Sequence, residues 1–457
     1  MVVFIPSIKD IRATFTRLHA RLGDFWWYSL MLFCACRAAD VLNAFVGLWL
    51  VPKYVDPSEL GAVMPLTQFA NFLAIPVAAF ANTFRNELTR LSIGKEFGKL
   101  KTLMRGVFAA TAIFLFLAII VARFLLPAFL ERIRIVEGSL GLVIIAASFV
   151  GAVAPIYSNA LQALKKFKAQ SLLSIFGAPV RLVAMLITMP FRALTGYFVG
   201  QAATPVFSII ASVVALRKEL SVKAEPYWTN DVIRRFSKLF ATFAAIGIVD
   251  GFYLLVEATI IRQRLPDLDS AGYYMATRFS EIAGFLSATL AFTIFPFAAE
   301  KAANGEDTRP LVIKSLLANA CFCLALALPF LFFGETILSL LPNGNLYCAY
   351  WWAIPWLIGI TYLLSIVVLY ITAEFSVNRF SFLRWYLPLD IVYPLLILIV
   401  TGHGYFTGLI PDSWSEFLTA HNIYSLRTIL LWMTTITAIK SLPCIVAMLR
   451  IHGRTHL

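Results

Sequence analysis

Long apolar segments recur along the whole chain, separated by short polar loops. A helix needs about 20 residues to cross the apolar core of a bilayer, and each segment is close to that length. The twelve segments have the approximate bounds 26–51, 60–84, 106–127, 140–161, 171–189, 195–216, 239–261, 273–298, 311–333, 350–373, 385–402 and 424–449. The pattern therefore predicts an all-α integral membrane protein with about twelve transmembrane helices.

The first segment contains polar side chains near its middle. Arg37, Asp40 and Asn43 follow one another in steps of three residues, which keeps them within one broad face of a helix. A charge at this depth is costly unless it faces the interior of a helix bundle or a water-filled cavity. The first segment therefore predicts a polar cavity.

A short internal repeat follows the first and seventh segments. In Asp56–Gly61 and in Asp267–Gly272, an Asp precedes by five residues the Gly that opens the next segment. The same offset brings Asp40 and Asp250 to within one residue of equivalence. Six helices followed by six more in the same orientation predict two lobes related by an axis along the membrane normal, with the substrate path between them.

The repeat and the loop charges together predict the domain organisation. We expect a cytoplasmic amphipathic segment 1–25, a first lobe 26–216, a cytoplasmic linker 217–238, a second lobe 239–449 and a cytoplasmic tail 450–457. An even number of spans places both termini on one side, and the loops of that side hold most of the Lys and Arg residues. Because cytoplasmic loops are enriched in these residues, both termini are predicted to be cytoplasmic.

Composition narrows the class of protein. Hydrophobic residues make up 60% of the chain and charged residues 14%, which excludes an ordinary soluble protein. The net charge of +13 does not indicate a nucleic-acid partner, since no soluble basic domain is present to bind one. Metal-ligand spacing, a nucleophile elbow and a phosphate-binding glycine loop are all absent from the sequence. We interpret the protein as a non-enzyme without a cofactor or a metal site.

Two stretches resemble the multidrug/oligosaccharidyl-lipid/polysaccharide (MOP) exporter superfamily, and within it the polysaccharide flippases of bacterial envelopes. They are VGLWLVPKYVDPSELGAVMPLTQFANFLAIPV at 46–77, where a short loop ends in acidic-x-Gly, and SNALQALKKFKAQSLLSIFGAPVRL at 158–182. The resemblance implies two MATE-like six-helix lobes, a central cavity and alternating access. It also implies the bacterial inner membrane, a lipid-linked oligosaccharide as substrate, contact with membrane lipid, and other polysaccharide-assembly proteins as partners.

Arginines near the middle of spans suggest how such a substrate is bound. A guanidinium group binds phosphate through two hydrogen bonds and stays charged when desolvated. Arg37 and Arg181 could therefore neutralise a lipid diphosphate, although Asp40 could equally neutralise Arg37 within the helix. The predicted substrate-binding residues are Arg37, Asp40, Asn43, Gln68, Asn71 and Arg181.

Carboxylates in the second half suggest ion coupling. Asp250 and Glu257 lie in the seventh segment and Asp390 in the eleventh, and the resemblance places an ion site in these helices. A buried carboxylate either ionises beside a cation or carries a proton, so we predict coupling to Na⁺ or H⁺. Pairing with a buried Arg or with the backbone is the alternative interpretation.

The remaining charges within spans have structural interpretations. Arg278 and Glu281 are three residues apart on one helix and are expected to pair. Arg427 and Lys440 are expected to extend along the helix to the membrane surfaces.

Three functions compete. The preferred one is a flippase for a lipid-diphosphate-linked oligosaccharide, such as an O-antigen or other envelope repeat unit. The first alternative is a MATE-type cation-coupled multidrug exporter, which arginines in the first lobe disfavour because they repel cations. The second alternative is an integral membrane polysaccharide polymerase or ligase, which needs a larger outer loop than the longest one here, about 405–423.

Overall fold

The computed structural model describes residues 37–135, 138–164, 166–304, 306–376, 381–401 and 425–450. The predicted segment 1–25 and the longest predicted outer loop lie outside these ranges, as does nearly all of the predicted tail. Within them the secondary structure is helical, and no β-strand occurs.

Twelve long helices follow one another through the described residues. Helix α1 runs from residue 37 through a π-helical turn at Val46–Leu50 and ends with Val51–Tyr54. The others are α2 Val63–Ile93, α3 Phe97–Arg132, α4 Gly138–Ala163, α5 Phe167–Thr188, α6 Ala193–Ala215, α7 Asn230–Arg264, α8 Asp267–Ala303, α9 Arg309–Ser339, α10 Ala353–Ser376, α11 Leu383–Thr401 and α12 Leu426–Arg450. Each predicted segment overlaps one helix, which confirms the all-α prediction.

Nine helical stretches in the described ranges are long and apolar enough to cross a membrane; they lie in α2 to α7, α9, α10 and α12. The chain is therefore a multi-pass membrane protein. Several helices extend beyond the apolar segment that predicted them. Helix α3 has 36 residues, which at 1.5 Å per residue is about 54 Å, well beyond the roughly 30 Å apolar thickness of a bilayer.

Helix packing in the first half recurs in the second half. Helix α2 packs on α4 as α8 packs on α10, and α4 packs on α6 as α10 packs on α12. The pairs α3–α4 and α5–α6 likewise match α9–α10 and α11–α12. Between the halves, α2 packs on α7 and α1 packs on α8, which are again equivalent pairs. The packing is that of two six-helix lobes joined through their first two helices.

The two copies of the sequence repeat contact each other. A single-turn helix at Pro57–Leu60 packs on α8. The following Gly61 lies so close to Ser270 that a Cβ atom at position 61 would be 2.2 Å from the serine Oγ. Glycine is needed here because any side chain would push the two segments apart.

A buried arginine joins the lobes at the end predicted to face outward. Arg262 is 1% exposed and donates from Nε to the carbonyl oxygen of Ile133 (3.0 Å) and from Nη2 to that of Ser58 (2.8 Å). Its Nη1 donates to Asp267 Oδ1 (2.8 Å). One side chain therefore links three loops, those between α1 and α2, between α3 and α4, and between α7 and α8. The loop charges predict that all three lie on the outer side of the membrane.

The opposite end is joined by a carboxylate. Glu87 of α2 accepts hydrogen bonds from the Tyr227 hydroxyl (2.6 Å) and from Arg235 Nε (2.7 Å). Helix α7 begins at Asn230, after Thr229, whose side chain accepts from the backbone N–H of Val232 (3.4 Å). The last part of the predicted linker 217–238 is therefore the first part of α7.

Candidate functional site

A cavity of about 540 Å³ lies within the first lobe, between α1, α4, α5 and α6. We call it the first-lobe cavity. Its polar lining consists of Asp40, Asn43, Ser158, Gln170, Ser174, Arg181, Gln201, Thr204 and Ser208. These residues recur at steps of three or four along α1 and α6 and at steps of four and seven along α5, so each of these helices turns one polar face to the cavity. The polar cavity predicted from α1 is present.

Glycines leave room for this cavity. A Cβ atom added at Gly151 of α4 would meet no atom within 4 Å, so this position borders open space. At Gly177 of α5 the added Cβ would approach the methyl group of Thr204 at 3.0 Å, and the Thr204 hydroxyl donates to the Gly177 carbonyl at 2.7 Å. Helices α5 and α6 therefore pack closely while the space beside α4 remains open.

Within the described part of the chain, Arg181 is the cationic residue that lines the first-lobe cavity. Its Nη1 donates to Asn43 Oδ1 of α1 at 2.7 Å, and its Nε has no hydrogen-bond partner. Among the residues that the structure describes, no carboxylate lies within ion-pair distance of this guanidinium. Its hydrogen-bond partner is a neutral amide, so no ion pair neutralises the positive charge that Arg181 brings to the cavity.

Arg37 and Asp40 form an ion pair with a distance of 3.0 Å between Nη2 and Oδ2. Arg37 Nη1 also donates to the carbonyl oxygen of Phe285 in α8, at 2.6 Å. The prediction grouped Arg37 with the cavity residues, but the structure turns it towards α8, outside the lining. The carboxylate of Asp40 borders the cavity and already has its counter-ion.

Gln68 and Asn71 also lie outside the lining. They are on α2, which packs against α4 and α7 and forms no wall of the first-lobe cavity. Asn71 Nδ2 donates to Gln68 Oε1 at 3.4 Å. Of the six predicted substrate-binding residues, the cavity brings together Asp40, Asn43 and Arg181.

A third arginine, Arg278, lies near Arg181 but outside the cavity lining. Arg278 and Glu281 of α8 form the expected pair, at 2.9 Å. The guanidinium of Arg278 also lies over the Tyr274 ring, 4.9 Å from its centroid, and both it and Glu281 are near enough to act electrostatically on Arg181. The sequence signal for the close approach of Arg278 to α1 is Gly47, where an added Cβ atom would lie 2.8 Å from Arg278 Cδ.

The predicted coupling carboxylates surround a lysine in the second lobe. Asp390 of α11 is 1% exposed and forms an ion pair with Lys440 of α12, which is 5% exposed. The prediction that Lys440 reaches the membrane surface is wrong. It lies ten residues before Arg450, about 15 Å along the helix, which is too deep for its side chain to reach the end.

Tyrosines complete this group, which we call the second-lobe cluster: Asp250, Glu257, Asp390 and Lys440. The Tyr386 hydroxyl donates to Asp250 Oδ1 and the Tyr273 hydroxyl to Glu257 Oε1, each at 3.2 Å. Lys440 Nζ is 4.3 Å from the centroid of the Tyr253 ring. The carboxylates are thus met by hydroxyl groups and by one ammonium group. A role in ion coupling stays a prediction.

Comparison with known proteins identifies the fold. No protein-family model and no curated protein matches the chain. Among solved structures, the lipid II flippase MurJ in an inward closed conformation matches with a TM-score of 0.64 at 14% identity, over 92% of this chain and 87% of that one. The chain has the MOP-superfamily fold. An inward-facing multidrug resistance MATE family transporter of that superfamily matches with a TM-score of 0.61 at 12% identity, over 91% and 96%.

A third similar structure is also a transporter of the MOP superfamily. The transporter from Pyrococcus furiosus, described as having a binding pocket of reverse polarity, matches with a TM-score of 0.58 at 12% identity, over 93% of this chain and 95% of that one. At these identities the likeness establishes the MOP fold and leaves the substrate open. The polysaccharide-flippase branch stays a prediction.

Proposed function

We propose that this protein is a MOP-superfamily transporter that moves a lipid-diphosphate-linked oligosaccharide across the bacterial inner membrane by alternating access, driven by an ion gradient. The observation that carries the proposal is the charge of the first-lobe cavity. Among the residues that the structure describes, the charged lining residues are Asp40 and Arg181, and Asp40 is paired with Arg37. The guanidinium of Arg181 is therefore left to bind an anion.

The geometry of Arg181 suits a phosphate group. Asn43 holds Nη1 of the guanidinium in place, and no carboxylate among the described residues neutralises its charge. Charge-assisted hydrogen bonds from arginine to phosphate are among the strongest that side chains form, and their fork geometry orients the ligand. The diphosphate is the part of the substrate whose transfer out of water costs the most free energy. A fixed guanidinium beside it offsets this desolvation cost.

The rest of the lining suits a glycan. Gln201, Ser174 and Ser208 offer amide and hydroxyl groups to sugar hydroxyls. A volume of about 540 Å³ is within the usual range for a small-molecule site and accommodates the first sugars beside the diphosphate. The lipid tail would remain in the bilayer. The likeness to a lipid II flippase supports a lipid-linked substrate.

The multidrug alternative makes the opposite demand on the cavity. A cationic drug needs an unneutralised carboxylate, and the carboxylate bordering this cavity has Arg37 as its counter-ion. This favours the glycan-lipid substrate over a cationic drug. We also propose that the protein transports its substrate without altering it and works beside the other proteins of polysaccharide assembly.

The test is transport by the full chain in proteoliposomes. We would offer a fluorescent polyprenyl-diphosphate-linked oligosaccharide and, in parallel, a lipophilic cationic dye. We expect movement of the glycan lipid, its loss in Arg181→Gln, and normal movement in the control Arg234→Gln, because Arg234 is exposed and distant from the cavity. Dye transport that depends on Asp40, without movement of the glycan lipid, would refute the proposal.

A further inference from the structure

The second-lobe cluster occupies the place in its lobe that the first-lobe cavity occupies in the other. The cavity draws its functional side chains from α1, α5 and α6. The cluster draws its own from α7, α11 and α12, which are the equivalent helices in the repeated packing. Where the first lobe leaves space, the second holds a lysine and a layer of tyrosine rings.

We propose that the ammonium group of Lys440 is a built-in cation that fills the place where these carboxylates would otherwise bind a metal cation, so that Na⁺ does not drive transport by this chain. The inference rests on the proposed function for its meaning in transport. Its structural content concerns the second-lobe cluster alone.

The position of Lys440 is the first argument. Its ammonium contacts the carboxylate of Asp390, which is almost fully buried. A buried carboxylate that is ionised needs a cation beside it, and here the chain itself supplies one. The ammonium also lies near two aromatic faces, 4.3 Å from the Tyr253 centroid and 5.6 Å from that of Tyr386, an arrangement that favours a cation.

The surroundings of Lys440 are the second argument. Tyr253 and Tyr393 pack with their rings tilted by 39° and their centroids 4.8 Å apart, and the Tyr386 hydroxyl donates to Asp250, so aromatic rings take up the space around the ammonium. A metal ion entering this space would meet both the rings and the positive charge of Lys440. Hard cations bind through several oxygen ligands, and the ring faces turned to the ammonium provide none.

The charge count gives the inference a sharp consequence. Three carboxylates, Asp250, Glu257 and Asp390, face one ammonium within the cluster. If Lys440 is the cation that the cluster holds, its removal vacates the place of the ammonium. The carboxylates beside that place then have no counter-charge. A variant without the ammonium should therefore acquire a site for Na⁺.

The experiment compares Lys440→Met with the wild type as full-length purified proteins. Each is melted in NaCl and in choline chloride of equal ionic strength, and binding of radioactive sodium is measured by equilibrium dialysis. We expect the wild type to melt at one temperature in both salts and to retain no sodium. In Lys440→Met we expect a melting temperature that rises with the logarithm of the Na⁺ concentration, together with bound sodium.

Two further variants make the result decisive. Lys301→Met removes a lysine whose partner, Glu306, is outside the cluster, and it should respond to sodium as the wild type does. Asp390→Asn combined with Lys440→Met removes both members of the pair and should weaken the sodium response of Lys440→Met. If Lys440→Met does not fold, the wild type decides: saturable sodium binding that Asp390→Asn abolishes overturns the inference, and indifference to sodium supports it.

No substrate enters these measurements, so they are separate from the test of the proposed function. Failure of glycan-lipid transport, with sodium binding gained in Lys440→Met, would refute the function and support the built-in cation. Transport of glycan lipid driven by an imposed Na⁺ gradient in the wild type would support the function and refute the built-in cation.

Discussion

The two lobes share one arrangement of helices and differ in how they treat charge. In the first lobe, α1, α5 and α6 surround a cavity of about 540 Å³ in which Arg181 has an amide as its partner. In the second lobe, α7, α11 and α12 bury Lys440 against Asp390 and pack tyrosine rings around the pair. The charge of Arg181 has no counter-ion among the described residues, whereas Lys440 and Asp390 neutralise each other.

This difference separates two tasks within one duplicated scaffold. A side chain with an unused charge and an adjoining cavity can bind and release a substrate. A buried pair whose charges compensate each other provides rigidity or a controlled change of charge. The MOP fold therefore sets where the two centres lie, while a few side chains decide what each of them does.

The largest effect is expected from breaking the pair in the second lobe. Asp390→Asn leaves the ammonium of Lys440 buried without its carboxylate, which should lower the free energy of unfolding by about 3–5 kcal/mol. Adding Lys440→Met should restore most of the loss, because an apolar side chain needs no counter-charge. Denaturant unfolding in detergent measures both values. A single variant as stable as the wild type would show that the pair does not compensate itself.

The next effect concerns the open charge of the first lobe. Arg181→Gln should lower glycan-lipid transport about 10- to 150-fold, which corresponds to losing a charge-assisted hydrogen bond of about 1.5–3 kcal/mol. Arg181→Lys should be intermediate because the ammonium keeps the charge without the fork. Transport rates in proteoliposomes, with melting temperatures as a control for folding, measure this. Equal rates for Arg181→Gln and Arg234→Gln would rule out a substrate contact at Arg181.

The cavity itself can be filled. Gly151 of α4 and Gly359 of α10 both border open space, since a Cβ atom at either would meet nothing within 4 Å. Leucine should therefore fold at both positions. Gly151→Leu should lower transport at least about tenfold, equivalent to 1.4 kcal/mol, while Gly359→Leu should transport normally. Equal impairment of the two variants would contradict the assignment of substrate to the first lobe.

The smallest effect is a rescue. Arg37→Ala should reduce transport, because it frees the negative charge of Asp40 at the wall that Arg181 shares. Arg37→Ala combined with Asp40→Ala removes both charges and should return transport to within about threefold of the wild type, apart from a small residual coupling. The measurement is the initial transport rate of the wild type, Arg37→Ala, Asp40→Ala and the double variant. A double variant as inactive as Arg37→Ala would assign Arg37 a direct role with the substrate.

The sequence predicted the helices well because apolar length alone determines where a chain can cross a bilayer. Each of the twelve predicted segments overlaps one helix, and the pairing of Arg278 with Glu281 followed from their spacing. The helix ends were less accurate, as at α3 and α7, because a helix can continue into water after its apolar segment ends.

Contacts between distant helices were beyond the sequence. Nothing in the spacing of Asp390 and Lys440 shows that α11 and α12 bring them together, and the hydrogen bond from Arg181 to Asn43 likewise depends on how α5 meets α1. The depth of Lys440 within its helix was the one usable signal, since a lysine so far from the helix end needs a buried partner.

Arg262 has a consequence for how this protein can change during evolution. Two of its hydrogen bonds end on main-chain carbonyl oxygens, those of Ser58 and Ile133. Every amino acid carries such an oxygen, so substitutions at positions 58 and 133 leave these bonds available. These two bonds thus tolerate substitution in the loops that they hold, whereas the third, to Asp267 Oδ1, depends on the carboxylate at position 267. Mutational sensitivity at this end of the protein should therefore be concentrated at positions 262, 267 and 61, while positions 58 and 133 vary more freely.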